Sequence, residues 1–416
     1  MNILVVNNVY PPIMAGGAEL IVAWLSEGLA TRGHRVTVVS TCGPEMEPYP
    51  VETTNGVTVI RFFPRNLYWS FARQGQKPWR RALWHVRDAW NRDAGRRFRA
   101  ILRQAPPDIV HTHLIDGFSA TIWRRARASG VPVIHTAHDY LLLCPRAFLL
   151  TRDWEVCRRP GLGCRLYRQW HLRTARDVDL FVSPSQFLLD YHRASGLTPR
   201  RGAVVRNGIP LPSVAASPRE AQRSPRLLLL TRLTIEKGVR LVVQAVERLP
   251  KALDFELVVA GRGPLENEIR AASARDPRIR FVGYVTGEAK RSLLASGEYL
   301  LLPSLWYENA PVALIEAAAY GLGVIASRIG GIPEFVREGH TGLLFEPGDV
   351  VGLTETLRGL ISGERRLTHL HAEAQALVAE HSVERMVDSY LEHYASLLES
   401  PARELQPALA AHAYAD

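Results

Sequence analysis

Residues 304–334 read SLWYENAPVALIEAAAYGLGVIASRIGGIPE. Ser304 to Glu308 has the composition of a loop, and Pro311 stands where the first turn of a helix tolerates proline. Pro311 to Tyr320 carries alanine, leucine and glutamate, good helix formers, and Gly321 supplies the stop. A strand follows at Val324 to Ser327, then a glycine-rich turn. The amides of Asn309, Ala310, Val312 and Ala313 point out of the helix start, and such a terminus binds anions. Glu308 lies beside that anion site. Continued as a helix, the eight residues to Glu316 carry the second carboxylate about 12 Å along the axis and roughly 80° round it. A ligand touching both carboxylates and the amides between them is long, anionic in the middle and rich in hydroxyls at each end. A nucleotide-sugar has that layout.

Working outward, Arg226 begins a new apolar strand, RLLLLTRLTIEKG, with Arg232 and Lys237 five apart across the turn at its end. Two cations there suit a diphosphate, the arginine as a planar fork and the lysine as a mobile point charge. The segment GRGPLE (Gly261 to Glu266) carries Gly261 and Gly263 without a third glycine, and Tyr284 follows Gly283 where it can flank a base. Strands at 226–232, 255–260, 279–282, 299–302 and 324–327 alternate with helices, the rhythm of a doubly wound sheet. Upstream, Pro210 to Pro225 is rich in Pro, Ser and Ala and reads as a linker.

The first half repeats the rhythm. Ile3 to Val6 is a strand, the loop NNVYPPIMAGGAEL follows, and a helix runs from about Glu19 to Arg32. Gly16 and Gly17 let backbone amides approach an anion at that helix start. Further strands are read at Arg35 to Ser40, Val57 to Phe62, Asp108 to His113, Val131 to His135, Val178 to Ser183 and Val204 to Ile209. The segment HTAHDY places His138 and Asp139 at a carboxyl edge, where ligands bind in open α/β sheets.

The stretch 304–334 resembles the Glu-x₇-Glu signature of the retaining family-four glycosyltransferases, including the trailing GGIPE turn. GGAE and the R…EKG pattern are similar to other donor-facing segments of that family. The resemblance covers roughly residues 1–395, is most specific over 226–345 and weakest over 44–106, where acceptors bind in such enzymes. It implies an α/β fold of two Rossmann-like domains facing across a cleft (GT-B), and transfer of a hexose from a nucleoside diphosphate sugar to a glycan or lipid-linked acceptor with retained configuration. It also implies site roles: Arg232, Lys237 and the Asn309 to Ala313 amides stabilise the leaving diphosphate, Glu316 holds the ribose, and Glu308 and His138 orient the sugar. Attack is then from the front face, with a donor phosphate oxygen taking the acceptor proton. The family usually has proline where this chain has Gly323, a change expected to loosen the turn into the next strand. A sugar phosphorylase, a nucleotide-sugar epimerase and a donor-binding scaffold without turnover stay open beside this reading.

Composition narrows the rest. At 416 residues the chain suits two domains: 1–209 on the acceptor side, and 226–380 for the nucleotide-sugar. An amphipathic helix at 381–399 is placed to cross back to the first domain, and a disordered tail is expected at 400–416. No run of 18 apolar residues spans a membrane, and MNILVVNNVYPP reads as a strand, not a signal peptide. Four cysteines suit a reducing, cytoplasmic setting. Cys144, Cys157 and Cys164, with His171 near, invite zinc, but their spacing matches no standard knuckle, and free thiols are the simpler reading. No Asp-x-Asp metal platform is read in the donor-facing segments, so no divalent ion and no cofactor is expected.

The net charge of +10 is uneven: residues 65–103 hold eleven Arg or Lys against Asp88 and Asp93, with four of the nine tryptophans. Trp79, Leu83, Val86, Trp90, Ala94, Phe98 and Ile101 recur at helical spacing, which predicts one helix with those side chains in the core. Trp69, Phe71 and Trp84 fall off that stripe, and with the arginines they suggest contact with an anionic membrane at its inner face. A nucleic-acid partner is set aside.

Overall fold

The computed structural model describes residues 1–13, 16–211, 224–368 and 370–399. Most of the linker expected at 210–225, and all of the tail at 400–416, lie outside the described residues.

Two sheets organise the chain. The first contains β1 (Asn2–Val6), β2 (Arg35–Thr41), β3 (Glu52–Thr54), β4 (Val57–Phe62), β5 (Ile109–Thr112), β6 (Val133–Thr136), β7 (Leu180–Ser183) and β8 (Arg201–Val204). Their order is β3-β4-β2-β1-β5-β6-β7-β8, parallel except for the edge strand β3. The second contains β9 (Arg226–Leu230), β10 (Glu256–Ala260), β11 (Ile279–Gly283), β12 (Tyr299–Leu302), β13 (Gly323–Ser327) and β14 (Gly342–Phe345), in the order β11-β10-β9-β12-β13-β14. Strands such as VIHT, LFVS and GVIAS are buried throughout because helices cover both faces of each sheet. Those helices are α1 (Gly17–Thr31), α2 (Pro78–Ala89), α3 (Arg92–Gln104), α4 (Thr121–Ala128), α5 (Leu162–Thr174) and α6 (Gln186–Ala194) in the first domain. The second has α7 (Val239–Arg248), α8 (Glu266–Arg275), α9 (Gly287–Ser296), α10 (Val312–Ala319), α11 (Val350–Ile361) and α12 (Leu370–Glu380). Strand order reverses between β1 and β5 in one sheet and between β9 and β12 in the other. At such a switch point the loops leave in opposite directions and open a crevice at the strands' carboxyl ends.

The last helix, α13 (Val383–Glu399), returns to the first domain. Met386, Val387, Tyr390 and Tyr394 are buried in one cluster with Ile21, Leu25 and Val182. A Cβ on Gly28 would lie 2.7 Å from Val387 Cγ2, so glycine is what lets α13 lie against α1. The Tyr394 hydroxyl bonds His111 Nδ1 at 2.7 Å, and the Tyr390 hydroxyl bonds Thr136 Oγ1 at 2.9 Å. The outgoing and returning crossings run side by side, with the Ile209 amide donating to the His381 carbonyl at 2.9 Å.

Three local expectations change. The helix expected from Trp79 to Ile101 is two, because Trp90 leaves helical geometry and the Asn91 side chain caps a new helix by accepting from the Asp93 and Ala94 amides. That break resets the phase: Trp84 is the core residue, while Trp79 is 62% exposed and Val86 71%. Ala94, Phe98 and Ile101 are buried, as the stripe requires. The strand placed at Val204 to Ile209 is instead Arg201–Val204, since beyond it Gly208 packs on the Ser382 backbone. Gly323 does not loosen its turn: it is buried, a Cβ there would meet Leu367 at 2.5 Å and Tyr299 at 2.7 Å, and its amide donates to Glu298 O. Gly323→Pro is therefore expected to destabilise the protein by about 2 kcal/mol or more, through the lost hydrogen bond and overpacking. A urea midpoint equal to wild type would contradict this.

Candidate functional site

The two switch points face each other. From the second domain come the loop after β9, with Arg232 and Lys237, and the loop after β12, which leads through Glu308 into α10. Residues 308–311 are not helical, so the helix arithmetic from Glu308 to Glu316 does not apply. Only the segment from Val312 onward is helix, with Pro311 extended before it. The first-turn amides of α10 have no partner four residues back, the condition that makes a helix start an anion site.

Glu308 is buried, and three donors converge on its Oε1: Lys237 Nζ at 2.6 Å, Ser304 Oγ at 2.7 Å and Trp306 Nε1 at 2.9 Å. Burial by itself would push the carboxyl pKa up; the Lys237 charge and the three hydrogen bonds outweigh it, and the group lies below its ordinary value. Glu308 is thus ionised and oriented, with Oε2 left by these donors for a ligand hydroxyl. The Lys237 ammonium also lies 5.0 Å from the Trp306 ring centroid. Arg232 is exposed at the rim, 3.7 Å from the buried Glu236. Glu316, half-buried on α10, accepts from Lys290 Nζ at 2.5 Å. Lys290 carries no motif, and nothing in the sequence singled it out.

Gly261 and Gly263 serve backbone docking. Cβ atoms there would lie 1.9 Å from Thr231 O and 2.5 Å from Leu233 O, and the Leu233 amide donates to Arg262 O. The two loops at the ends of β9 and β10 are therefore zipped together. Tyr284 is exposed, with the Arg262 guanidinium 4.6 Å from its ring centroid, an aromatic platform at the cleft edge.

From the first domain, the start of α1 meets the start of α10: a Cβ on Gly17 would sit 3.7 Å from Val312 Cγ2. Gly16 caps α1 with extended backbone, so two helix N-termini converge on one gap. Ala310 is buried beside it and Ala313 half-buried. Asn309 Nδ2 donates to the His138 carbonyl at 2.7 Å, joining the two domains, and its buried Oδ1 has no partner among the described residues. His138 Nε2 bonds His113 Nδ1 at 2.9 Å. Burial pushes His138 down to about 4 and His113 well below its usual value, so both rings are neutral and share one proton in that bond. His113, His138 and Asp139 line a cavity of about 10 Å³, room for a single water.

Carboxylates gather on this side. Asp116 accepts from Asn8 Nδ2 at 2.6 Å and is raised by burial. Glu19, within the GGAE segment, is raised by burial and by Asp116. Asp139 is pushed up to about 7, by burial first and then by the charges of Asp116 and Glu19. Asp116 comes from the loop after β5 and carried no motif. Cys144, Cys157 and Cys164 are free thiols, and among the described residues no group of three or more His, Cys, Asp or Glu is arranged to hold a metal. His171 is buried against the Tyr167 ring instead.

With this geometry in view, two family models match the chain: "Glycosyl transferases group 1" over residues 224–363 and "Glycosyl transferase 4-like domain" over 16–208. An uncharacterised 42.6 kDa protein from the cps region of Klebsiella pneumoniae is 30% identical over 342 residues, covering 81% of this chain and 88% of that one. A glycogen synthase of Mycobacterium tuberculosis is 30% identical over 380 residues, covering 87% and 86%. Among solved structures, sucrose-phosphate synthase from Thermosynechococcus elongatus superposes with a TM-score of 0.72 at 19% identity, over 95% of this chain and 98% of that one. Anabaena HepE in complex with UDP superposes at 0.69 and 17% identity, over 95% and 100%.

Two outcomes follow. Lys237→Met leaves Glu308 without its counter-charge and is expected to cost about 3–5 kcal/mol, with Lys237→Met/Glu308→Gln costing less than Lys237→Met alone. Additivity of the two changes in a denaturation cycle would show that the pair is not coupled. For Asp139, the folded pKa near 7 exceeds the unfolded value of about 3.9, so its penalty is absent below about pH 4 and complete above about pH 7. Asp139→Asn is expected to raise stability at pH 8 by about 2–4 kcal/mol and to leave it unchanged at pH 4. An equal effect at both pH values would contradict the assignment.

Proposed function

The chain belongs to the group 1 glycosyl transferases, and from that premise we propose that it moves a hexose from a nucleoside diphosphate sugar to a glycan or lipid-linked acceptor, with retention of configuration. The observation that carries this reading is Glu308. It is an ionised carboxylate buried between a cation and a helix start, with one oxygen left for a ligand, at a switch point facing His138. UDP or UDP-glucose is named as bound in the Anabaena HepE structures, which supports a nucleotide-sugar here.

In this reading the diphosphate lies along the start of α10, between Arg232, Lys237 and the amides of Asn309, Ala310, Val312 and Ala313. Charge that accumulates on the leaving phosphate is met by donors already in place, the largest stabilising term without a metal ion. Glu316, oriented by Lys290, takes the ribose hydroxyls. Glu308 Oε2 and His138 hold the sugar, and neutral His138 offers a hydrogen bond without a competing charge. The acceptor hydroxyl attacks the anomeric carbon from the face the diphosphate leaves, and its proton passes to a donor phosphate oxygen. Nucleoside diphosphate departs, and rocking of the two domains about the paired crossings opens the cleft for release. The relatives from a cps region and from glycogen synthesis favour a polysaccharide or glycoconjugate product.

A donor-hydrolysis screen with UDP- and GDP-hexoses tests the reading directly, with turnover expected for at least one donor and undiminished by EDTA. Arg232→Ala, exposed and away from the core, is expected to lower kcat about 10²–10³-fold. Glu316→Ala is expected to raise donor KM about tenfold or more with a smaller change in kcat. Wild-type constants in both variants would remove these roles.

A further inference from the structure

The first domain carries a surface that donor chemistry does not use. On α2, Trp79, Leu83 and Val86 lie on one face, and they and Trp90, just past the helix end, are all exposed. On α5, Leu162, Leu166 and Trp170 do the same, with Leu162 73% exposed. The two stripes meet where Trp90 packs edge to face on Trp170 at 5.8 Å, and Trp170 Nε1 donates to Ala89 O at 2.9 Å. Contiguous exposed apolar faces of this kind mark interaction sites.

The charge around them selects the partner. Residues 77–92 and 158–173 together hold ten Arg or Lys and one carboxylate, Asp88. Asp88 is buried, where it accepts from the Gly117 amide at 3.0 Å. Lys77, Arg87, Arg92, Arg158, Arg159 and Arg165 are exposed, and none is ion-paired among the described residues. A second copy of this chain would bring these like charges together. A phospholipid surface of negative charge meets both features at once: arginines reach head groups while tryptophan and leucine enter the acyl boundary.

We propose that α2 and α5 form a platform that docks the acceptor domain on an anionic bilayer. This rests on the glycosyltransferase reading only for its purpose, the delivery of a membrane-borne acceptor. The platform is braced on the first domain: Asp88 holds the loop after β5, and His85 of α2 lies edge to face with Tyr167 of α5 at 6.2 Å. A lipid-linked glycan rising beside Trp170 enters the cleft without leaving the surface. Among the described residues no helix is long and apolar enough to cross a membrane, so attachment through this face is peripheral.

Flotation of the full chain with vesicles of phosphatidylcholine alone, or with one-third phosphatidylglycerol, tests the platform. Strong partitioning to the anionic vesicles, weakened by salt, is expected. Trp79→Ser/Leu83→Ser/Val86→Ser is expected to cut it at least about tenfold. Arg87→Glu/Arg158→Glu/Arg159→Glu is expected to cut it about a hundredfold, at about fivefold per cation. Thermal midpoints and UDP-glucose hydrolysis should be unchanged in both. Equal binding of wild type to neutral and anionic vesicles would overturn the proposal, as would wild-type binding by either variant. So would a concentration-dependent dimer, seen by light scattering, that the serine variant abolishes. Vesicle binding with no hydrolysis of any nucleotide-sugar would remove the glycosyltransferase reading and leave the platform; hydrolysis without vesicle binding would do the reverse.

Discussion

The site depends on one buried ion pair. Lys237 and Glu308 belong to loops that leave neighbouring strands, β9 and β12, at the point where the order of the sheet reverses. Burying an ionised carboxylate is unfavourable by several kcal/mol unless its partners are well placed. Here a lysine, a serine hydroxyl and an indole N–H meet that requirement on a single oxygen. The clasp fixes the position of Pro311 and so the direction in which α10 starts. It also locks Lys237, whereas the second cation, Arg232, stays exposed, 3.7 Å from Glu236. Preorganisation of this sort means a ligand meets dipoles that have already been paid for in folding.

The cleft is electrostatically divided. The second domain contributes two cations and a helix start, which suit phosphates. The first contributes neutral histidines and carboxyls raised by burial, Glu19, Asp116 and Asp139. Asp139, pushed up to about 7, can both donate and accept, and carboxyls raised by burial make an unsuitable lining for a second anion. Under the function proposed above, this polarity favours one orientation of the donor, with its phosphates against the second domain.

Much of this was legible from periodicity and punctuation. Continuous apolar runs such as RLLLL can only be strands covered on both faces, and Gly33, Gly196 and Gly321 mark helix ends without tertiary help. The pair Glu308 and Glu316 stood out because one stretch holds both. What stayed hidden depended on contacts far apart in sequence. Lys290 reaches Glu316 from another helix, and His113 reaches His138 from another strand. The tryptophans misled for a local reason: seven residues at helical spacing spanned an asparagine cap, and the count ran straight through it. Gly323 misled because a missing proline looks permissive until the Tyr299 ring is seen to fill the space.

The return of α13 has a bearing on biosynthesis. Tyr390 and Tyr394 complete the interior of the first domain, yet they are translated after every strand of the second. Until α13 emerges, Ile21, Leu25 and His111 of the amino-terminal half lack that cover, although all six strands of the second sheet have by then been synthesised. Closure of the first domain's core thus waits for the last helix, an inversion of the usual vectorial order in which the earlier domain folds first. Limited proteolysis of stalled nascent chains would read out that inversion.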